Sequence, residues 1–326
     1  MEDDSMINIF YKKNGMIELA QSVSALQGLT PDQVIWIDLL APSGEEKHTV
    51  EEFFEVEIQS RAEAEEIESS SRFWEEENAI YANTNFMIPG PDEYSMEAVS
   101  FILVGNGLTT LREVPLRSLT ELQRRMMANP KQYATGYHVF VTILDQRVDL
   151  DADMIELMAK EITQYSKRVN QQEDINEDFI LDINMLQENA MLVRENVVDK
   201  QRLISNLLRS PKIPAELDSR LGVLLQDISS LINHANFSFE RLEYLQDTVL
   251  GLINLDQNRI MKVFTLISLL LMPPTLIASF FGMNVRLPMI DSDNPNASPW
   301  NWVIIIGIMF LTFGCVWFVF KKKKLL

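Results

Sequence analysis

The sequence predicts an α/β domain at the amino end, a stalk of long helices after it, and two transmembrane helices near the carboxyl end. Short β-rich runs bounded by turn residues fill the region 6–112. From Leu116 onward glycine becomes rare and apolar residues recur at helical spacing. The runs 263–281 and 300–320 contain no charged residue. Each would span about 30 Å as a helix, which matches the hydrocarbon core of a bilayer.

Residues 1–130 are expected to form the α/β domain. The tripeptide Gly105-Asn106-Gly107 is typical of a β-hairpin. Ser43, followed by two glutamates, predicts a helix that ends near Glu57, and residues 61–69 predict a second, short acidic helix. Five runs rich in β-branched and aromatic residues are expected to be strands: 7–11, 34–38, 79–87, 96–104 and 108–112.

The stalk is expected to occupy residues 131–262 and to consist of long helices. Apolar residues at helical spacing predict one helix over 133–171 and another over 177–208, where two prolines follow. A third helix is predicted from Ala215 to Phe281, about 100 Å long, continuing into the first membrane span. Because its apolar stripe must be covered, this helix is expected to pack in a bundle or an oligomer.

Basic residues flank the two spans on the sides that we assign to the cytoplasm. Arg259 and Lys262 precede the first span, and Lys321 to Lys324 follow the second. The positive-inside rule therefore places both termini in the cytoplasm. The expected order is the first span at 263–281, an external loop at 282–299, the second span at 300–320 and a basic tail at 321–326.

Composition excludes several function classes. The formal net charge is −19, so a nucleic-acid partner is not expected, because phosphate binding needs a basic surface. Cys315 is the single cysteine, which excludes a disulfide framework and a cysteine-rich zinc site. No nucleophile–base pair, cofactor loop or signal peptide is visible, so we expect neither an enzyme nor a bound organic cofactor.

One face of the first span combines polar and large apolar residues. Its members recur every three or four positions: Asn258, Met261, Phe264, Ser268, Met272 and Thr275. By themselves such residues are most often lipid-facing or packing residues. Pro273-Pro274 interrupts the backbone ladder of this helix, which a membrane helix tolerates when neighbours satisfy the freed groups. Since two spans per chain cannot enclose an ion path, a channel would require a ring of subunits.

The order of these features resembles the CorA family of magnesium transporters. A first span ends at Gly282-Met283-Asn284, and a short loop, a second span and a lysine-rich end follow. The tripeptide alone is a weak signal, but its setting is specific. Further matching segments are Gln257-Asn258-Arg259-Ile260, Met272-Pro273-Pro274-Thr275-Leu276-Ile277-Ala278-Ser279, Trp36-Ile37-Asp38-Leu39, Glu66-Ile67-Glu68 with Arg72-Phe73, and Thr110-Leu111-Arg112-Glu113.

The resemblance implies a funnel-shaped homopentamer whose first span lines a pore for magnesium. Gly282, Met283 and Asn284 would form the selectivity filter, with a ring of Asn284 amides holding the hydrated ion. Magnesium releases water reluctantly, so neutral amides suit a filter that binds it without dehydrating it. The pore-lining residues would be Asn258 and Thr275 as polar steps, Met261, Phe264 and Met272 as a hydrophobic constriction, and Ser268 between them.

The resemblance also implies that intracellular magnesium, bound between cytoplasmic domains, holds the closed state. Candidate ligands are Glu65, Glu66, Asp153, Asp227 and Asp247. Each is otherwise an ordinary surface carboxylate. Asp247 lies three helical turns before Asn258 and has an equally good interpretation as a solvated charge.

Two alternatives remain open at this stage. The same fold would also suit cobalt, nickel or zinc, although no soft-metal ligand set lies near the spans. A membrane-anchored helical sensor without transport is disfavoured by the polar residues along the first span. The sequence departs from the family at Val285-Arg286, where an aromatic and an acid are common, and Arg286 would repel incoming cations.

Overall fold

The computed structural model of the protein describes residues 6–60, 63, 72–90, 93–171, 175–282 and 300–322. The chain divides into two units, Met1–Gln246 and Asp247–Leu326. The first unit holds a seven-stranded sheet and the helices packed on it. The second unit holds the end of one long helix and one further helix.

The sheet contains the five strands predicted from the sequence and two that were not. Their order is β2-β1-β3-β7-β6-β5-β4, in which only the neighbours β3 and β7 run parallel. The predicted hairpin joins β6 and β7 through Gly105 and Asn106. The strands are β1 (Met6–Lys13), β2 (Met16–Ala20), β3 (Val34–Leu40), β4 (Phe73–Glu75), β5 (Ala79–Ile88), β6 (Ser95–Val104) and β7 (Gly107–Arg112).

The edge strand β2 forms a second hairpin with β1, and the sequence signal of this hairpin was overlooked. Asn14 and Gly15 form its two-residue turn, and both have positive φ, 51° and 79°. Asn-Gly is the residue pair that this type of turn favours. The edge strand β4 spans only three residues, which is too short for an alternating pattern to stand out.

The described part of the chain contains six α-helices, and the bounds of the predicted ones differ slightly from the prediction. Ser43 caps α1 as expected, since its Oγ accepts from the Glu46 N–H at 3.2 Å while Glu46 accepts from the Ser43 N–H at 2.8 Å. The helix ends before Glu55, which has a φ of 55°, so the predicted end near Glu57 is too late. The helices are α1 (Gly44–Phe54), α2 (Arg117–Ala128), α3 (Gly136–Gln171), α4 (Glu177–Leu207), α5 (Asp218–Phe281) and α6 (Asn301–Lys322).

Two of these helices correct the sequence interpretation. The α2 helix was not predicted at all. The predicted helix from Ala215 begins instead with the 3₁₀ turn Ala215–Leu217, and its α-helical part starts at Asp218. The short acidic helix predicted at 61–69 lies outside the described residues, except for Glu63.

The sheet separates two hydrophobic cores. Trp36 and Phe101 point to the core shared with α2, α3, α4 and α5. Their neighbours Ile37 and Ile102 point to the smaller core that α1 covers. Since adjacent side chains of a strand face opposite sides, these continuous apolar runs mark strands buried on both faces.

A buried ion pair joins the two parallel strands. The Asp38 carboxylate is fully buried, and Arg112 donates to it from Nε at 3.1 Å and from Nη2 at 2.8 Å. Thr110 and Gln123 add hydrogen bonds of 2.8 Å each. Trp36 in turn donates to the Thr110 hydroxyl at 3.0 Å. The segments around Trp36 and Thr110 therefore serve to bind β3 to β7.

Candidate functional site

Two helices are long and apolar enough to cross a membrane, judged by length and composition. One apolar stretch belongs to the helix that ends at Phe281, and the other lies within Val303–Lys322. The helix α5 ends at Phe281, and α6 covers Asn301–Lys322. Large apolar side chains such as Leu276 and Phe310 are 71% and 72% exposed, so a single chain leaves this surface uncovered. An exposed apolar surface of this kind is typical of a region that contacts lipid or another protein.

The predicted pore face lies on one uninterrupted helix. All six of its residues belong to α5 and are exposed in the single chain. At about 100° per residue they fall within an arc of about 120°. They are Asn258, Met261, Phe264, Ser268, Met272 and Thr275.

The helix continues through its two prolines. Pro273 and Pro274 lie inside α5 without ending it. Directly after them, the Thr275 hydroxyl donates to the Leu271 carbonyl, one turn earlier in the helix, at 2.8 Å. Its oxygen keeps acceptor capacity toward water or a hydrated ion, since a hydroxyl has two lone pairs.

Of the three residues of the predicted filter, the structure describes Gly282. Its N–H donates to the Ala278 carbonyl at 2.9 Å, which extends the helical bonding one residue past Phe281. Met283 and Asn284 lie outside the described residues, as does the departure at Arg286. The filter geometry therefore stays a prediction.

The structure brings two of the predicted regulatory carboxylates into one acidic surface. Asp153 on α3 and Asp227 on α5 are exposed, and both act electrostatically on Asp149, one helical turn before Asp153. Partial burial raises the pKa of Asp149, and the negative charges of Asp145, Asp153 and Asp227 raise it further. Asp149 was not among the residues singled out from the sequence.

This acidic surface does not form a metal site within one chain. Asp145 is already paired with Arg220 at 2.8 Å. Among the described residues, no three His, Cys, Asp or Glu side chains are placed to hold a metal ion together. A cation at this surface would therefore need water or ligands from outside the described part of the chain.

The remaining regulatory candidates are not brought to this surface. Glu65 and Glu66 lie outside the described residues. Asp247 is exposed on α5 and is the first residue of the second unit.

Comparisons with known proteins give a consistent result. The family model described as "CorA-like Mg2+ transporter protein" matches residues 31–322. A magnesium transport protein CorA of Wolinella succinogenes is 33% identical over 98% of this chain and 99% of its own length. One of Helicobacter pylori is 25% identical over 98% of this chain and 99% of its own length.

Solved structures support the fold. The CorA magnesium transporter of Methanocaldococcus jannaschii superposes with a TM-score of 0.77 at 15% identity, covering 97% of this chain and 98% of the other. The ZntB cytoplasmic domain of Vibrio parahaemolyticus gives a TM-score of 0.58 at 16% identity, over 78% of this chain and 99% of that domain. The predicted combination of an α/β domain, a long helix and two carboxyl-terminal apolar helices is confirmed.

Proposed function

This chain belongs to the CorA family, as the motifs in its sequence predicted, and from that premise we propose that it carries magnesium ions into the cell across the inner membrane. The observation that carries the proposal is the family match over residues 31–322, which includes both apolar helices and the face between Asn258 and Thr275. The cytoplasmic part and both termini lie on the inner side.

The conducting form is a homopentamer in which α5 of each copy lines the path. Two apolar helices cannot enclose a channel, and their side chains are exposed in the single chain. A ring of copies both covers this surface and creates an axis. Asn258 and Thr275 provide polar steps along it. Met261, Phe264 and Met272 form a constriction that closes by excluding water.

Hydrated magnesium enters through a ring of Asn284 amides and moves inward down the membrane potential. Amides hydrogen-bond the water shell without the strong binding of a carboxylate ring, which permits release. A divalent ion gains about 4.6 kcal/mol per 100 mV, so the transport cycle requires no nucleotide.

Internal magnesium closes the channel by binding to cytoplasmic carboxylates of neighbouring copies. The surroundings of Asp149 support this step: burial raises the pKa of Asp149, and the negative charges of Asp145, Asp153 and Asp227 raise it further. A cation at this surface relieves the repulsion and favours the closed arrangement, whereas its loss favours the open one. Glu65 and Glu66 supply partner carboxylates, and Asp247 faces the axis.

Uptake into liposomes tests the proposal. Purified protein is reconstituted, a negative inside potential is imposed, and entry of magnesium, cobalt, nickel and zinc is measured with and without internal magnesium. We expect magnesium entry that falls as internal magnesium rises. Asn284→Ala should abolish entry while leaving the oligomer intact, and Asn294→Ala in the same loop is the matched control.

Each contrary result points elsewhere. Zinc, cobalt or nickel entry without magnesium entry would keep the architecture and change the substrate. Absence of all entry would favour a membrane-anchored sensor. Normal flux through Asn284→Ala would remove the amide filter, and unchanged inhibition in the triple variant Glu65→Gln, Glu66→Gln, Asp227→Asn would place sensing at other residues.

A further inference from the structure

A pocket lined by three arginines opens on the first unit, outside the proposed pore, filter and regulatory residues. Its volume is about 400 Å³, and its arginines are Arg72, Arg194 and Arg202. Glu195 and Asp199 are its two acidic residues. Three positive and two negative side chains give the lining a net charge of +1, in a protein whose formal net charge is −19. The net charge of the lining is therefore opposite in sign to that of the whole protein.

One face of α4 supplies most of the lining. Met191, Arg194, Val198 and Arg202 recur at intervals of three or four residues, so they lie along one side of the helix. Arg194 and Arg202 are exposed, and neither makes a hydrogen bond or ion pair in the part of the chain that the structure describes. They are separated by about 12 Å along the helix axis. Two guanidinium groups are therefore available to a ligand.

The third arginine is held in place from the opposite wall. Arg72 Nε lies 3.8 Å from Asp199 Oδ1, and its Nη1 donates to the Asn85 side-chain oxygen at 3.4 Å. Asp199 also accepts a hydrogen bond from the Thr84 hydroxyl at 2.9 Å. Because Arg72 and Thr84 already engage Asp199, its negative charge offsets Arg72. Glu195 then remains as the single negative charge of the lining beside Arg194 and Arg202.

One lining residue, Asn196, connects the pocket to a buried network of charged side chains. The buried Asn196 donates to Asp151 at 2.9 Å and accepts from Lys200 at 2.5 Å. Lys200 Nζ lies 2.8 Å from Asp151. Arg147 and Lys200 both lie over the Phe86 ring, at 4.5 and 6.0 Å from its centre. The hydrogen bond from Asn196 to Asp151 joins this part of α4 to α3 and so holds the pocket wall in place.

We propose that this pocket binds a small phosphate-bearing anion of the size of pyrophosphate or a nucleoside triphosphate. Guanidinium groups present planar pairs of donors that match two phosphate oxygens at once. Because their backbone positions lie about 12 Å apart along α4, Arg194 and Arg202 can engage different phosphates of a chain of two or three. The volume falls in the range of small-molecule sites. Met191 and Val198 offer an apolar wall for the non-phosphate part of a nucleotide.

Binding to the purified full-length protein in detergent tests this proposal independently of transport. Calorimetric titrations use inorganic phosphate, pyrophosphate, ADP and ATP in metal-free buffer. Saturable binding of pyrophosphate or a nucleotide, weaker for phosphate, is expected. A preference for ATP and ADP over pyrophosphate identifies a nucleotide as the source of the phosphates, whereas equal binding identifies the phosphate chain alone.

Charge removal locates the site. The double variant Arg194→Ala, Arg202→Ala should weaken binding at least about tenfold, because each arginine loses charge-assisted hydrogen bonds. Both residues are exposed, so the thermal unfolding midpoint should stay unchanged. Arg209→Ala is the matched control, since Arg209 is also exposed and lies outside the pocket lining.

Three results would overturn the proposal. One is the absence of saturable binding of all four anions to the unaltered protein. Another is equal affinity of the double variant and the unaltered protein. The third is an equal loss of affinity in Arg209→Ala, which would indicate general surface attraction.

Discussion

Removing Arg112 should destabilise the first unit strongly, because it leaves the Asp38 carboxylate buried without its cation. In Arg112→Met the hydrogen bonds at 2.8 and 3.1 Å are lost together with the charge, while Thr110 and Gln123 still donate. Breaking a buried pair from one side costs about 3–5 kcal/mol. At about 2–4 °C per kcal/mol, the unfolding midpoint should fall by roughly 6–20 °C.

The assay is thermal unfolding of the full-length protein in detergent, followed through the signal of the first unit. Adding Asp38→Asn to Arg112→Met removes the unpaired charge, so the double variant should recover several degrees relative to the single one. Lys160→Met is the matched control. Lys160 pairs with Glu156 at the same 2.8 Å, but their side chains are 66% and 67% exposed, so its midpoint should not change.

The reasoning fails if the double variant is less stable than Arg112→Met alone. That result would mean that the unpaired charge of Asp38 is not what destabilises Arg112→Met. A midpoint of Arg112→Met equal to that of the unaltered protein would lead to the same conclusion, because it would show that neutral donors suffice for a buried carboxylate.

Three further predictions concern other parts of the molecule. Gly136→Ala should lower the unfolding midpoint, because a Cβ there would lie 2.5 Å from the Leu108 backbone nitrogen; Gly222→Ala, with open space around it, is the control. Asp149→Asn should raise the midpoint near pH 7 in metal-free buffer. The folded state raises the pKa of Asp149, so the unaltered protein loses stability as the pH rises through that pKa. The higher midpoint of Asp149→Asn should therefore disappear below about pH 4, where the aspartate is protonated in the unfolded chain as well. Phe264→Ala should raise magnesium uptake severalfold by widening the constriction, whereas Val263→Ala, on the other side of α5, should leave it unchanged.

Local features of the fold were predictable from the sequence where a single physical signal defined them. The absence of charge defined the apolar helices, and the Gly105-Asn106 turn defined the β6–β7 hairpin. The α2 helix (Arg117–Ala128) was overlooked, although its buried residues Leu119, Leu122 and Met126 have the i, i+3, i+7 spacing of an amphipathic helix. These residues cover only about two turns, so the pattern is shorter than in the long helices α3 and α4.

The candidate sites differ in the same way. The shared face of Asn258 and Thr275 follows from helical spacing, so the sequence predicts it and the structure places both residues on one helix. The proximity of Asp149 to Asp227 depends on the packing of α3 against α5, which no spacing within either helix encodes. The arginine pocket was missed for the same reason, since Arg72 and Arg202 are distant in sequence.

The two charged surfaces of the first unit support opposite ligands by the same argument. Like charges that gather on a folded surface repel each other, and on the acidic side burial and the negative charges of Asp145, Asp153 and Asp227 together raise the pKa of Asp149. On the other surface Arg194 and Arg202 share a pocket in which Asp199 already pairs with Arg72. The magnesium binding that we propose would reduce the repulsion on the first surface, and the anion binding that we propose would place negative charge between Arg194 and Arg202 on the second. Magnesium and phosphate-bearing anions associate in water, so a protein with both surfaces would respond to the free concentration of each.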